Sequence, residues 1–288
     1  MRMLNERNIQ EHMSSRFRKD RVCKVAFRIT MLFSLCILIF LLYQIFRQGI
    51  TYISFDFFTN FASRNPEKAG IAAALSGTIL FMSVVTPTSF LLGVGTALYL
   101  EYYAKQSLFT RMIKINIQTL AGVPSVVFGL LGLTMFVYGL QLGESILAAA
   151  LTMSLLVLPT VVVAAQEALR SVPRSLLEAS YGVGATKWQT MSRVVIKAAM
   201  PGILTGCILA LSRAIGEAAP LLVIGALAFA NYVPLDVFDK FTVLPIQIFN
   251  WMSRPQEEFQ HVAAAGIIVL LLLLVFINTF AIWLRNRK

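Results

Sequence analysis

The stretch Val262–Leu284, VAAAGIIVLLLLLVFINTFAIWL, runs for 23 residues without a charged side chain. A helix needs about 20 apolar residues to cross roughly 30 Å of hydrocarbon, so this stretch predicts a transmembrane helix. The whole chain has the same character, since 57% of its 288 residues are hydrophobic and 14% are charged. Soluble domains carry about 25% charged residues. The sequence therefore predicts a membrane protein.

Five further apolar runs have the length of a membrane span. They lie approximately at Val25–Phe46, Ala69–Leu100, Ile115–Leu140, Ser145–Ala165 and Gly202–Ala230. Backbone polar groups in lipid must be satisfied within their own segment, so these runs are expected to be helices. The first run is too long for the apolar part of a signal peptide and is expected to remain as the first helix. The predicted fold class is an all-α membrane protein with six transmembrane helices.

The positions of Lys and Arg predict the topology. Seven precede the first span, three lie between the second and third spans, five between the fourth and fifth, and three after the sixth. The loop between the first and second spans carries three Lys or Arg residues, the loop between the third and fourth carries none, and the loop between the fifth and sixth carries two. Cytoplasmic loops are the ones rich in Lys and Arg, so both termini are expected in the cytoplasm. This topology also explains the net charge of +11 without a nucleic-acid partner.

This topology divides the chain into four predicted regions. A basic cytoplasmic tail (1–24) precedes the first helix and its outer loop (25–68). A core domain of five helices (69–284) contains a long cytoplasmic loop (171–201), and a short cytoplasmic end (285–288) follows.

Two charges lie deep inside the fifth predicted span. Arg213 and Glu217 are one helical turn apart in LSRAIGEAAPLLVIGA, residues 211–226. A charge at the bilayer centre costs about 2.5–3.5 kcal/mol on insertion scales, so such residues face a bundle interior or a wet cavity. The pair is either an ion pair that only neutralises itself at a helix interface, or a site where the Arg guanidinium binds an anion in transit.

Proline interrupts both the third and the fifth predicted spans. Pro220 is expected to lie on the same helix as Arg213 and to free one carbonyl four residues earlier. Pro124 and Ser125 break the third span in a similar way. Broken helices at membrane depth are tolerated where they line a cavity, although a packing kink explains either proline alone. The candidate substrate-pathway residues are Arg213, Glu217, Pro220, Pro124 and Ser125.

The loop between the fourth and fifth spans is long enough for two short helices. The first is expected to begin near Pro173 and to end at GVG, residues 182–184. Thr186 and Gln189 have the spacing of a capping box that starts the second, which is expected to end before Pro201. A helical hairpin on the membrane surface explains this pattern as well as a docking element does.

Within this loop, EASYGVGA (178–185) resembles the EAA loop of the inner-membrane permeases of binding-protein-dependent ABC transporters, with Ser180 where the family often has Ala. The resemblance implies the type I ABC importer permease fold and a coupling helix that docks on a cytoplasmic ATPase subunit. The implied coupling residues are Glu178, Ala179, Ser180, Gly184 and Ala185.

Three further stretches resemble the PstA-type permeases of phosphate ABC transporters. They are AGVPSVVFGLLGL (121–133), RAIGEAAPLL (213–222) and LPIQIFNWMSRPQEEF (244–259), with Ala218 where the family usually has Thr. The resemblance implies a phosphate importer of the bacterial or archaeal cytoplasmic membrane. The implied partners are a homologous PstC-type permease, two PstB-type ATPase subunits and an extracytoplasmic PstS-type phosphate-binding protein.

Other functions remain open at this point. A permease for another oxyanion such as molybdate, or the sister phosphate permease, would share most of these features. An ion-coupled secondary transporter or a channel would need no docking loop. No catalytic residue, metal site or cofactor is predicted, because the three cysteines lack disulfide or metal-ligand spacing and the two histidines lie outside the spans. The resemblance implies a non-catalytic subunit, with ATP hydrolysis on the partner ATPase subunits.

Overall fold

The computed structural model describes residues 2–105, 107–227 and 229–286, and this part of the chain consists of helices and loops without a strand. It forms two compact units, Met1–Gln48 and Gly49–Lys288. Helix α1 (Arg2–Gly49) makes up the first unit, so the basic tail and the first predicted span are one continuous helix. Its side chains between Val25 and Phe46 are mostly exposed, as expected of a surface that faces lipid.

The second unit contains the remaining helices. They are α2 (Phe55–Thr59), α3 (Ala72–Leu98), α4 (Leu108–Leu120), α5 (Ser125–Gly132), α6 (Ile146–Arg170), α7 (Arg174–Gly182), α8 (Lys187–Thr190), α9 (Ile196–Gly216), α10 (Ala219–Ile224), α11 (Leu244–Met252) and α12 (Glu257–Asn286). Turns of π-helix extend α3 to Tyr103 and α5 to Gly139, and another joins α8 to α9.

Five stretches of the described chain are single helices long and apolar enough to cross a membrane. They are Asp20–Tyr52, Ala72–Tyr103, Ile146–Arg170, Lys187–Gly216 and Glu257–Trp283. A sixth consists of α4 with the extended α5, which meet at an angle of 109°. The prediction of an all-α membrane protein is confirmed, and the count reaches six when this bent pair is one span.

The fifth span differs from its predicted bounds. The predicted short helix does start after Thr186, whose side chain forms a capping box with Gln189. The expectation that it ends before Pro201 is wrong, because the π turn Met191–Val195 carries it directly into α9, with Pro201 inside that helix. Membrane helices tolerate an internal proline when local π adjustments satisfy the freed backbone groups. The span therefore begins at Lys187 and ends at Gly216.

Helix α6 lies at the centre of the second unit, and 67% of the residues in its most apolar stretch are buried. Small residues let its neighbours approach closely, as is common between membrane helices. Gly202 and Gly206 of α9 face Ala168 and Ala164 of α6, so both helices contribute two small residues four positions apart. On the other side, Gly93 of α3 packs directly against α6.

We expect Gly93→Ala to lower the thermal stability of the purified protein. A Cβ at this position would lie 2.5 Å from Val161 Cγ1, and such overpacking costs about 1–3 kcal/mol. Gly95→Ala is the matched control, because nothing lies within 4 Å of a Cβ there. Melting curves of the two variants in the same detergent measure the difference. Equal melting temperatures would contradict the close contact between α3 and α6.

Candidate functional site

Two broken helices meet in the second unit. Helix α4 ends at Leu120, and Pro124 precedes the first residue of α5 with an extended backbone (φ −56°, ψ 137°). Helix α9 ends at Gly216, and α10 begins at Ala219. The segments after the two breaks pack together, since a Cβ on Gly129 of α5 would lie 2.9 Å from the Cα of Pro220. The two prolines thus belong to one structural feature, although they lie far apart in the sequence.

The expectation that Pro220 lies on the same helix as Arg213 is wrong. Glu217 has an extended backbone (φ −80°, ψ 116°), so the helix has already ended before the proline. Pro220 instead stands in the first turn of α10, where a backbone N–H would have no intrahelical partner. The break is therefore a change of direction between two helices and not a kink within one.

Arg213 and Glu217 form an ion pair across this break. The Nε of Arg213 donates a hydrogen bond of 3.1 Å to Oε1 of Glu217. The Glu217 side chain is 19% exposed, whereas that of Arg213 is 62% exposed. Within the described residues, the Nη1 and Nη2 atoms of Arg213 have no hydrogen-bond partner. The guanidinium therefore keeps donors available for a further anion while it is held by the carboxylate.

Arg213 and Ser125 line one small cavity of about 20 Å³. Its other walls come from the end of α4, from α5 and α6, and from α9, through Leu120, Ala121, Val123, Phe128, Leu156, Val157, Thr160 and Ala210. This volume holds about one water molecule. The structure thus brings Ser125, at the start of α5, to the same space as the charge pair, while Pro124, Glu217 and Pro220 lie outside that lining.

Thr160 is a lining residue that the sequence analysis missed. It follows Pro159 inside α6 and is exposed, and its hydroxyl has no hydrogen-bond partner among the described residues. A Thr hydroxyl in a helix often bonds back to the carbonyl four residues earlier, as Thr152 does to Ala148 at 2.8 Å. The only feature of the sequence that singles out Thr160 is the proline that precedes it in an apolar span.

The predicted coupling residues lie together at the end of α7. Glu178, Ala179 and Gly184 are exposed, while Ser180 and Ala185 are half-buried. Gly184 has φ +83°, a left-handed conformation that favours glycine. Its N–H and that of Ala185 donate to carbonyls of α7, at 2.9 and 3.2 Å, which closes the helix end.

Helix α7 is attached to the fifth span by a side-chain hydrogen bond. The hydroxyls of Ser180 and Thr190 lie 2.9 Å apart, and Thr190 is fully buried. Large apolar side chains beside this contact face outward, with Val183 86% and Trp188 67% exposed. The loop therefore presents an apolar surface on a rigid turn that is tied to the helix carrying Arg213.

A charged cluster joins this loop to the rest of the bundle. Glu101, in the π extension of α3, forms ion pairs with Arg170, whose Nε lies 3.0 Å from Oε1, and with Lys114, whose Nζ lies 3.8 Å from Oε2. The neighbouring Tyr103 ring lies 4.5 Å from Nζ of Lys187 at the start of α8. The cluster therefore links α3, α4, α6 and α8. The sequence analysis missed Glu101 because it follows the predicted end of the second span by one residue.

We expect Glu101→Gln to lower the melting temperature of the protein by several degrees. The change leaves Arg170 and Lys114 without their shared carboxylate, and partly exposed ion pairs of this kind contribute about 0.2–1 kcal/mol each. Glu67→Gln is the control, since Glu67 is an exposed acid that makes no ion pair within the described residues. If the two variants have the same melting temperature, the cluster contributes nothing to stability.

The comparison with known proteins agrees with this architecture. Residues 89–288 match the family described as the binding-protein-dependent transport system inner membrane component. A bacterial ABC transporter involved in the import of the acidic polysaccharide alginate has a chain that superposes with a TM-score of 0.65 at 16% identity, over 96% of this chain and 99% of that one. At this identity the likeness shows the fold alone, which is that of the type I ABC importer permeases.

Two sequence relatives are more similar. The probable ABC transporter permease protein YqgI of Bacillus subtilis (strain 168) is 32% identical over 273 residues, covering 88% of this chain and 93% of the relative. The phosphate transport system permease protein PstA 1 of Mycobacterium tuberculosis (strain CDC 1551 / Oshkosh) is 37% identical over 224 residues, covering 76% and 72%. The chain therefore belongs to the binding-protein-dependent transport system inner membrane components, as a multi-pass membrane permease of the PstA type.

Proposed function

We propose that the chain is the permease subunit of an ATP-driven importer of inorganic phosphate and that it forms half of the translocation pathway. The observation that carries this proposal is the Arg213–Glu217 pair at the meeting point of the two broken helices. The relatives named as phosphate transport system permeases support the substrate. Guanidinium groups bind oxyanions through two parallel N–H donors, and Arg213 keeps its Nη donors available.

Each pathway residue has a proposed role. Arg213 binds the phosphate as it passes, and Glu217 holds the guanidinium when the path is empty. The carboxylate also keeps the anion from binding too tightly, because transport requires release. Ser125 supplies a hydroxyl to the same space. Pro124 lies in the break between α4 and α5, which forms one wall of that space, and Pro220 begins the helix after the second break. The cavity of about 20 Å³ is too small for a tetrahedral oxyanion, so this conformation holds the passage narrow.

Membership of the family implies association with ATPase subunits and with a substrate-binding protein. We propose that the partners are a PstC-type permease, two PstB-type ATPase subunits and a PstS-type phosphate-binding protein. Glu178, Ala179, Ser180, Gly184 and Ala185 would dock on one ATPase subunit, which hydrolyses ATP in place of this chain. Closure of the ATPase pair would move α7, and the helix from Lys187 to Gly216 would carry that motion to Arg213.

The proposed location is a bacterial or archaeal cytoplasmic membrane with both chain ends in the cytoplasm. The concentration of Lys and Arg around the loop 171–201 and in the tail supports this orientation. The proposed organisation keeps the tail (1–24), the first helix and outer loop (25–68), the permease core (69–284) and the short end (285–288).

Uptake of radiolabelled phosphate tests the substrate. The chain is expressed with its partner subunits in cells that lack their own high-affinity phosphate permease, and uptake is measured at low micromolar phosphate. We expect uptake that tenfold excess molybdate does not reduce and that an inactive ATPase partner abolishes. Restored uptake of molybdate without phosphate would overturn the substrate, and uptake that persists with the inactive ATPase would favour a secondary transporter or a channel.

A further inference from the structure

Two further cavities lie between α9 and α12, and neither Arg213 nor Glu217 lines them. The first has a volume of about 450 Å³ and is lined by Lys197, Met200, Pro201 and Leu204 of α9 and by Arg285 of α12. The second has a volume of about 290 Å³ and lies deeper, among apolar side chains of α3, α9 and α12. Leu204 lines both cavities, so they lie next to each other along α9.

The lining residues of the two adjacent cavities follow one another along α9 and α12, and the two cavities are together called the groove. On α9 the lining continues at three- and four-residue steps from Leu204 to Ile208 and Leu211, and on α12 it runs back from Arg285 to Ala281 and Ile277. At 1.5 Å per residue, the apolar part from Leu204 to Leu211 covers about 10 Å along α9. This length lies within one leaflet of a bilayer about 30 Å thick.

The two ends of the groove differ in chemistry. Its mouth carries Lys197 and Arg285, and no acidic residue lines either cavity. Arg285 is held toward α9, because its Nη1 donates a hydrogen bond of 2.9 Å to Oγ1 of Thr205. Its Nε contacts the side-chain oxygen of Asn286 at 3.2 Å. Lys197 has no ion-pair partner among the described residues. The mouth is therefore a positive site without a compensating carboxylate.

The deeper part of the groove is mostly apolar. Its polar side chains are those of Thr86, Asn278 and Cys207, and Oδ1 of Asn278 already accepts from the Ser212 hydroxyl at 2.6 Å. The remaining lining is aliphatic or aromatic. A small anion would fill only the mouth and leave the groove empty, whereas an amphiphile with one negative end fills both parts.

We propose that this groove binds an anionic phospholipid, with its phosphate between Lys197 and Arg285 and an acyl chain in the groove between α9 and α12. Basic pockets between membrane helices bind anionic headgroups because the positive charge and the apolar wall lie at the matching depth. The site lies at the end of the fifth span that continues into α8. A bound lipid would therefore brace the helix that connects the ATPase-docking loop to Arg213.

The test uses the intact transporter complex, stripped of lipid in detergent. Phosphatidylglycerol and phosphatidylcholine with identical acyl chains are titrated, and bound lipid is counted by native mass spectrometry. We expect phosphatidylglycerol to bind at least about tenfold more tightly, and Lys197→Gln with Arg285→Gln to remove this preference. Leu204→Trp, which fills the junction of the two cavities, should weaken phosphatidylglycerol binding without changing the charge.

A second double variant, Lys105→Gln with Arg193→Gln, is the matched control. It removes two exposed positive charges that line neither cavity and should keep the preference. Equal binding of the two lipids, or equal losses in both double variants, would overturn the proposal. Displacement of phosphatidylglycerol by millimolar inorganic phosphate would identify a free-anion site instead. A complex that binds no phospholipid at all would mean that a partner subunit covers the groove, which also contradicts the proposal.

Discussion

Arg213→Ala is expected to reduce phosphate uptake by about 100-fold while the complex with the ATPase remains intact. The change removes the donors proposed to bind the anion and leaves Glu217, which is 19% exposed, without its counter-ion. A hydrogen bond to a charged group contributes about 1.5–3 kcal/mol, and every 1.4 kcal/mol corresponds to about tenfold. Initial uptake rates at low micromolar phosphate measure the loss, and a pull-down of the ATPase subunit shows that assembly persists.

Three companion variants make this result specific. Arg213→Lys keeps the charge but loses the planar guanidinium that can bind an oxyanion through two N–H donors. We therefore expect an uptake rate between those of the wild type and Arg213→Ala. Glu217→Ala should tighten phosphate binding and slow release, which lowers both the KM and the maximal rate. Arg28→Gln removes a positive charge from α1 and should leave uptake unchanged. Normal transport by Arg213→Ala would show that the pair only neutralises itself.

Gly184→Val is expected to weaken binding of the ATPase subunit by about tenfold or more. Gly184 has φ +83°, and a side chain in this left-handed conformation costs about 1–2 kcal/mol, more for a β-branched residue. The strain would open the turn that closes α7 and displace the exposed coupling residues. Because nothing lies within 4 Å of a Cβ at this position, the effect comes from the backbone conformation and not from a clash.

Gly182→Ala is the matched control for this turn. Gly182 lies two residues earlier, at the end of α7, has no positive φ and also has nothing within 4 Å of a Cβ. Titration of the ATPase subunit onto reconstituted permease should give an unchanged dissociation constant for this variant. Equal affinities for the Gly182 and Gly184 variants would exclude the turn as a determinant of docking.

The features that the sequence predicted well are those with a local physical cause. Long apolar runs have no other stable state in lipid than a helix, and the fourth span, predicted at Ser145–Ala165, corresponds to α6 (Ile146–Arg170). The Thr186–Gln189 capping box and the Gly184 turn depend on neighbouring residues alone. The bend of 109° between α4 and α5 was predicted only as an interruption, because its angle is set by the helices that pack around it.

The same distinction applies to the candidate site. Arg213 and Glu217 could be identified from the sequence because a charge inside an apolar run is costly wherever the helix lies. Pro220 was assigned to the wrong helix, since a proline marks a break without showing on which side the chain turns. Thr160 lines the cavity only because the α4–α5 break packs near α6, which one residue cannot indicate. Glu101 required the positions of Arg170 and Lys114, which come from other helices.

The exchange Arg213→Glu with Glu217→Arg distinguishes a guanidinium that binds substrate from an ion pair that only neutralises itself. It keeps one acid and one base at these two positions and exchanges only their order. It moves the guanidinium from the last turn of α9 to the extended residue that follows Gly216. With assembly shown by ATPase pull-down, we expect phosphate uptake to remain as low as in Arg213→Ala. Restored uptake would contradict it, because a self-neutralising pair has no preferred direction.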